Sequence, residues 1–329
     1  MKETLKYLLG TAGPSGFGSN STAEQVTEKC CLFPNQLTAI ITGATSGIGA
    51  ETARVLAKRG LRIVIPARNV KSASEMKARI QKENPEVEII VMELDLGSFA
   101  SIRRFCSAFL SSGLPLNILI NNAGKYCRKL QFTEDNFEMC FATNYLGHFL
   151  LTEMLVGRMM ETAAETGVEG RIINVSSVIH SWAKREGFNL HDMLTPRSYN
   201  GTRAYAQSKL ANILHAKELA RLLKANNARV TVNSVHPGIV KTGIIREEKG
   251  LVTDVLYLLA GKLLKTTSQA ASTTCYVALD PSIKGVSGKF FADCNESPCS
   301  SLADDQSEAT KLWRQTHEMI RRKCSQDGS

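Results

Sequence analysis

From Leu37 onward the chain alternates apolar runs of strand length with amphipathic stretches of helix length, and this alternation limits the fold more than any other feature. LTAIIT, LRIVIPA, EIIVMELDL, LNILINNAG, RIINVSS and RVTVNSVHPG are six such runs, separated by helical segments of which ASEMKARIQKE is typical. A continuous apolar run marks a strand covered on both faces. Strands that alternate with helices imply parallel neighbours, because a parallel pair needs a crossover connection. The expectation is an α/β protein, one domain built on a doubly wound parallel sheet. Ligands of such sheets sit beyond the carboxyl ends of the strands, where nearly all the polar motifs of this sequence fall. KFFAD near residue 290 reads as a last edge strand, and no internal repeat is visible.

Three segments follow from this pattern. Residues 1–35 form an amino-terminal arm with a Gly/Ser/Thr-rich piece and one short helix over AEQVTEK, residues 36–295 the cofactor-binding and catalytic domain, and residues 296–329 a basic amphipathic helix and tail. With 43% apolar and 22% charged residues in 329, the chain has ample material for a core. The net charge of +9 is spread out with no run of five basic residues, which argues against a nucleic-acid partner. Nine cysteines without a CxxC pair suit a reducing compartment and neither a disulfide framework nor a zinc site, and His148, His180 and His236 have no metal-like spacing. MKETLKYLLG is too short and too charged for a signal peptide, and Val252 to Leu264 is broken by Gly261 and Lys262, so no membrane span is expected.

After the first strand comes Thr42-Gly43-Ala44-Thr45-Ser46-Gly47-Ile48-Gly49, opening a helix expected to begin near Ala50. Glycines allow a tight turn and a close backbone approach, and a helix amino end offers N–H groups and positive dipole to a pyrophosphate. The alternative is a packing turn, but its place between strand and helix at the first unit favours a Rossmann-type dinucleotide site, with Gly43, Thr45, Ser46, Gly47, Ile48 and Gly49 at the cofactor. Strand two ends in Pro66-Ala67-Arg68-Asn69 without the carboxylate that would hold an adenosine ribose. A guanidinium there suits a 2′-phosphate, favouring NADP(H) over NAD(H). Asp95 and Leu96 after strand three are placed at the adenine, and Asn122, Ala123 and Gly124 after strand four beside the adenosine.

Tyr205 and Lys209 are four residues apart in a long helix expected to run from Tyr205 to about Lys224, so they share one face. A phenol with a pKa near 10 becomes a usable acid/base only if lowered by about three units, about 4 kcal/mol. A neighbouring ammonium in a dry site, together with an oxidised nicotinamide, is of that order.

TGxxxGIG, NNAG, Asn144, a serine after strand five, YxxxK and Pro237-Gly238, in this order over about residues 37 to 294, resemble the short-chain dehydrogenase/reductase family. The resemblance implies a carbonyl/alcohol oxidoreductase in which Tyr205 is the acid/base and Lys209 lowers its pKa and holds the nicotinamide ribose. It further implies that Ser177 polarises the substrate oxygen, that Asn144 supports a water chain to Lys209, and that Pro237, Gly238 and Thr242 cover the nicotinamide and phosphates. Ser176 and Ser177 are adjacent, and the family pattern points to the second. The segment HSWAKREGFNLHDMLTPRSYNGTR before Tyr205 resembles that of the retinol dehydrogenase-like branch and is expected to rim the substrate pocket.

SGFGSNSTAEQVT, MELDLGS, ATNYLGHFLLT, AYAQSKLANILHAKEL and STTCYVAL resemble more closely the plant short-chain dehydrogenases associated with the chloroplast inner-envelope import translocon. That resemblance implies NADPH, a peripheral place at the chloroplast inner envelope, with the cytoplasm as the neutral alternative, and calmodulin as a partner of the carboxyl-terminal region. Lys125 after NNAG departs from the family's usual aliphatic residue and changes the polarity expected at the substrate side. Two amphipathic stretches keep two readings each. Val252, Val255, Leu256, Leu259 and Leu263 either pack in the core or face a lipid-like substrate or membrane surface. EATKLWRQTHEMIRRK is either a calmodulin target or a helix docked on its own domain. The expected partners are a small carbonyl or alcohol and, as this fold class often pairs through helices flanking the site, a second copy of the chain. Two function classes stand side by side: an active oxidoreductase on an apolar substrate, and an NADP(H)-sensing component of a membrane complex. Intact Ser177, Tyr205 and Lys209 favour the first, since a sensor needs only the glycine turn and Arg68.

Overall fold

Strand β1 (Thr38–Ile41) is buried on both faces and alternates its side chains between them, as the period of two requires. Ala39 and Ile41 enter one apolar cluster and Ile40 the other. The structure, a computed structural model, describes residues 7, 9–30, 37–194, 198–240 and 264–326. Thr242 and the stripe from Val252 to Leu263 lie outside the described residues.

Helix α1 (Ala23–Thr27) precedes β1, and then α2 (Gly47–Lys58), β2 (Arg62–Ala67), α3 (Val70–Glu83), β3 (Ile89–Glu93), α4 (Phe99–Ser111) and β4 (Ile118–Asn121) follow. A short helix α5 (Met139–Phe141) widens into a π turn (Ala142–Leu146) and continues as α6 (Gly147–Thr166), which ends where Gly167 turns left-handed at φ +71°. Then come β5 (Gly170–Val175), α7 (Leu190–Leu194), α8 (Gly201–Ala225), β6 (Val230–His236), β7 (Ile239–Val240), β8 (Leu264–Lys265) and α9 (Thr267–Leu279). The last elements are β9 (Phe290–Ala292), β10 (Asn295–Glu296) and α10 (Gln306–Gln326).

The main sheet has the order β10-β9-β6-β5-β4-β1-β2-β3, and every pairing except β10 with β9 is parallel. The order 3-2-1-4-5-6 at its centre is that of the Rossmann fold, as the alternation predicts. KFFAD does form a strand, β9, but the edge outside it is the two-residue antiparallel β10. Pro66 is tolerated inside β2 because the pairing with β1 reaches only Val64.

Two other boundaries differ from expectation. Helix α8 starts at Gly201, one turn before Tyr205, because the Asn200 side chain accepts from Arg203 N at 3.0 Å. Helix α2 starts at Gly47, so Gly47 and Gly49 belong to its first turn.

The segment between Ser177 and Tyr205, expected at the rim of the substrate pocket, packs into the core. Ala183, Phe188, Leu190, Met193 and Leu194 are buried in the core, and Arg185 reaches Asp305 at 2.7 Å and Glu308 at 2.8 Å. The residues before β1 also pack. Ala23 and Val26 are buried in the cluster shared with α9, and the Asn295 amide donates to Phe17 O and accepts from Ser15 N, both at 3.0 Å. Of the two readings of the carboxyl-terminal helix, α10 displays the docked one. Leu312 and Ile320 are buried, Trp313 lies 4.8 Å from Phe149 between ring centroids, and Thr316 and Tyr145 share a hydrogen bond of 2.9 Å.

Candidate active site

The carboxyl ends of β1, β4, β5 and β6 bring most of the expected residues together. Helix α8 carries Tyr205 and Lys209 on one face, with Lys209 Nζ 5.5 Å from the centre of the Tyr205 ring. Lys209 is buried and donates to Val175 O, the last carbonyl of β5, at 2.8 Å. Burial brings its pKa down to about 8. The Tyr205 phenol, by contrast, is pushed above its ordinary value by burial. The expected lowering by Lys209 is not reached in the protein alone, so Tyr205 stands as a protonated donor.

The two serines separate cleanly. Ser176 is buried and its hydroxyl donates to Lys209 O at 2.7 Å, pinning α8 to the end of β5. Ser177 is partly exposed and its oxygen accepts from Ile179 N at 3.3 Å, which leaves its own proton for another acceptor. Asn144 is buried in the π turn, a distortion that favours functional positions. Its amide donates to Lys125 O at 2.9 Å and to Ser208 Oγ at 3.0 Å and accepts from Lys125 N at 2.7 Å. A methyl on Gly124 would lie 3.6 Å from Lys209 Nζ and 3.8 Å from Asn144 Oδ1, so the glycine separates the two. The Lys125 ammonium points away to Gln131 Oε1 at 3.2 Å; what Lys125 gives the site is its backbone.

The glycine turn fits a dinucleotide. Gly43 has φ +68°, and a Cβ there would meet Ala123 Cα at 2.8 Å. A Cβ on Gly49 would fall 2.4 Å from both Asn122 Nδ2 and Gly43 O. Ser46 at the helix N-cap gives no side-chain bond, so the first-turn N–H groups of α2 have no capping oxygen. Thr45 is partly exposed and Ser46 exposed beside it. Arg68 is exposed at the end of β2, with no carboxylate paired to it among the described residues.

Asp95 and Leu96 are more structural than expected. Asp95 Oδ1 accepts from Gly97 N at 2.8 Å, tying the carboxylate into its own turn, and the Leu96 side chain is buried in the core. Pro237 is buried and Gly238 turns at φ +91°.

Two features escaped the sequence reading. Beneath Gly238 lies a buried Lys265, whose Nζ pairs with Asp293 at 2.5 Å and whose methylene Cδ a Gly238 Cβ would meet at 2.5 Å. No spacing signals this pair, because it joins β8 to the turn between β9 and β10. The other is Thr42, whose hydroxyl accepts from Asn122 N and Ala123 N at 2.9 Å and so fixes NNAG to the glycine turn. Among the described residues no group of three His, Cys, Asp or Glu could hold a metal.

A Rossmann sheet, a helix-borne tyrosine and lysine, a serine hydroxyl with its proton uncommitted and a π-turn asparagine at the carboxyl ends of the strands define a dinucleotide-dependent oxidoreductase class. The short chain dehydrogenase family model matches residues 37–188, and the chain belongs to that family. It is 48% identical over 94% of its length, and 96% of the relative, to the "Short-chain dehydrogenase TIC 32 B, chloroplastic" of Brassica napus. It is 40% identical to human "Retinol dehydrogenase 14", covering 86% of each chain. A solved structure of an uncharacterized protein from Mycobacterium paratuberculosis has 30% identity and a TM-score of 0.66, covering 87% of this chain and 94% of that one.

Proposed function

We propose that the protein is an NADP(H)-dependent oxidoreductase that interconverts a carbonyl and an alcohol on an apolar, lipid-like substrate at the chloroplast envelope. The observation that carries this reading is the buried Lys209 ammonium beside a protonated Tyr205, with the Ser177 proton uncommitted nearby in the fold. When bound, the nicotinamide supplies the hydride. In reduction, Tyr205 gives its proton to the carbonyl oxygen, and Ser177 donates a hydrogen bond to the same oxygen as charge develops there. Lys209, charged below about pH 8, stabilises the phenolate left behind, and Asn144 holds the adjoining turn for proton return. The residues that fit the cofactor are Gly43, Thr45, Ser46, Gly47, Ile48 and Gly49 at the pyrophosphate, Asn122 to Gly124 beside the adenosine, Lys209 at the nicotinamide ribose, and Pro237 and Gly238 at the nicotinamide.

Arg68 supports the choice of NADP(H), since an exposed guanidinium replaces the ribose carboxylate. The retinol dehydrogenase relatives support an apolar substrate, as do Val178 and Trp182, exposed at 46% and 68% on the turn that follows Ser177. The chloroplastic relatives support the location. No helix among the described residues is long and apolar enough to cross a membrane; the envelope association proposed is peripheral.

The test is NADPH and NADH oxidation by the purified chain across a panel of aldehydes and ketones. Turnover of apolar carbonyls with NADPH preferred at least about tenfold in kcat/KM, about 1.4 kcal/mol, is expected. Micromolar NADPH binding without turnover of any carbonyl would overturn it in favour of a cofactor sensor.

A further inference from the structure

His148 lies one turn beyond Asn144 and is fully enclosed between the two halves of the site. Its Nδ1 is 3.1 Å from Asn144 O, and its Nε2 is 2.9 Å from Thr42 Oγ1. Proton accounting fixes the ring. Asn144 O is a carbonyl and only accepts, so Nδ1 carries hydrogen. Thr42 Oγ1 already accepts from Asn122 N and Ala123 N, both at 2.9 Å, so its two lone pairs are used and its own proton must be given away. The nearest acceptors are His148 Nε2 at 2.9 Å and the more distant Ile120 O at 3.3 Å, which already accepts from Thr42 N at 3.1 Å. The proton goes to Nε2. A neutral imidazole protonated at Nδ1 therefore satisfies every partner, and an imidazolium would bring a second hydrogen against an oxygen that has no lone pair left. Burial and the nearby Lys209 ammonium oppose the charged form in the same sense, holding the His148 pKa down to about 4.

The seat of the ring is also defined. Gly147, the residue before it, brings α6 so close to the loop after β3 that a Cβ would sit 2.3 Å from Leu96 O. The π turn closes with Gly147 N donating to Ala142 O, five residues back, and the imidazole reaches the Asn144 carbonyl across that widened turn.

We propose that His148 is a positioning residue: as the Nδ1-protonated neutral tautomer it couples the Asn144 turn, and with it Lys209 and Tyr205, to the Thr42 hydroxyl that anchors NNAG under the cofactor. The chain of contacts runs from Asn122 and Ala123 through Thr42 and His148 to Asn144. It sets the depth of the π turn relative to the glycine turn without touching substrate or cofactor. This inference rests on the oxidoreductase reading for its kinetic consequence and on the hydrogen bonds alone for the tautomer.

The experiment has a structural arm and a kinetic arm. Long-range proton–nitrogen NMR of the nitrogen-15-labelled full chain, with His148 assigned through its backbone, should show Nδ1 protonated and Nε2 bare between pH 6 and about 9, the range about two units or more above its pKa. A ring protonated at Nε2 overturns the network. In the kinetic arm, His148→Asn keeps a donor near the Nδ1 position and His148→Gln keeps an acceptor near the Nε2 position. With decanal and NADPH, His148→Gln should lower kcat about tenfold, the scale of one buried hydrogen bond. Its NADPH dissociation constant should stay within about twofold, since the cofactor turn keeps its bond. His148→Asn should recover most of that kcat and weaken NADPH instead. Equal losses in both variants, or losses confined to melting temperature, would reduce His148 to a packing residue and overturn the proposal. Should both variants fail to fold, the wild-type tautomer still decides. A wild-type chain inert toward NADPH and decanal counts against the site reading, whereas the wrong tautomer counts against the network.

Discussion

Lys209 shows what the site asks of a single residue. An ammonium with an ordinary pKa of 10.5 is held near 8 in the folded chain, a burden of about 3 kcal/mol while the group is charged in both states. Below pH 8 that burden is present in full. Between about 8 and 10.5 the unfolded chain binds the extra proton, so stability rises with pH across that window. Lys209→Met should therefore raise the melting temperature at pH 7 while removing turnover. Val175 O keeps a partner in Asn212 Nδ2 at 3.3 Å, so no buried carbonyl is orphaned. Thermal melting of the cofactor-free variant checks this, and a lower melting temperature would mean that the lysine is favourably placed. Arg68 makes a second prediction at this scale. Arg68→Ala should weaken NADPH by about tenfold or more, one charge-assisted pair, and leave NADH nearly unchanged. Titration with each cofactor reads it, and equal effects would contradict the cofactor choice. The spacing of Tyr205 and Lys209 is legible in sequence because four residues make one helical turn. The choice between Ser176 and Ser177 is legible only by family pattern, and its physical cause is the bond from Ser176 to Lys209 O. Burial raises the Tyr205 phenol in the protein alone, whereas the lowering expected from the sequence also needs an oxidised nicotinamide beside it.

At the scale of elements, the glycine turn and the first turn of α2 behave as one part. Gly49→Ala places a methyl where Asn122 Nδ2 and Gly43 O both lie at 2.4 Å, the first held by its 2.8 Å bond to Thr42 O and the second part of the backbone. The helix must retreat from the strand. NADPH affinity should fall at least about tenfold and the melting temperature by several degrees, the usual scale of overpacking. Calorimetric titration measures the first, and unchanged affinity would separate the turn from cofactor binding. Strands were legible here because burial on both faces leaves continuous apolar runs. Helix starts were not, because Asn200 acts as a cap five residues before the motif it introduces. The packing of the segment after Ser177 is not legible, because its partners Asp305 and Glu308 stand more than a hundred residues away in sequence.

The described residues form a sheet with an apolar cluster on each face, one shared by the arm before β1 and the other by the carboxyl-terminal helix. Helix α10 covers Tyr145, Phe149 and His215, side chains next to the π turn that carries Asn144. Removing residues 306–329 uncovers them and strips Leu312 and Ile320 from the core, each worth about 1.5–3 kcal/mol. The truncated chain should melt well below the full one, and a matching melting curve would mean that α10 is an appendage. A partner that grips the apolar face of α10 has to displace these contacts first. The parallel core of the topology was legible in the alternation of strands and helices, while the short β10 edge and the β7–β8 pair were not; nor was the docking of both termini, since an amphipathic helix shows which face it buries and never against what.

The central claim is that Tyr205 delivers the proton. Its most direct test is Tyr205→Phe, with NADPH binding and single-turnover reduction of an apolar aldehyde measured on the same sample. Turnover should fall at least about 100-fold, the lower range for a positioned general acid, while NADPH binding stays within a few-fold. Turnover close to wild type would contradict the account.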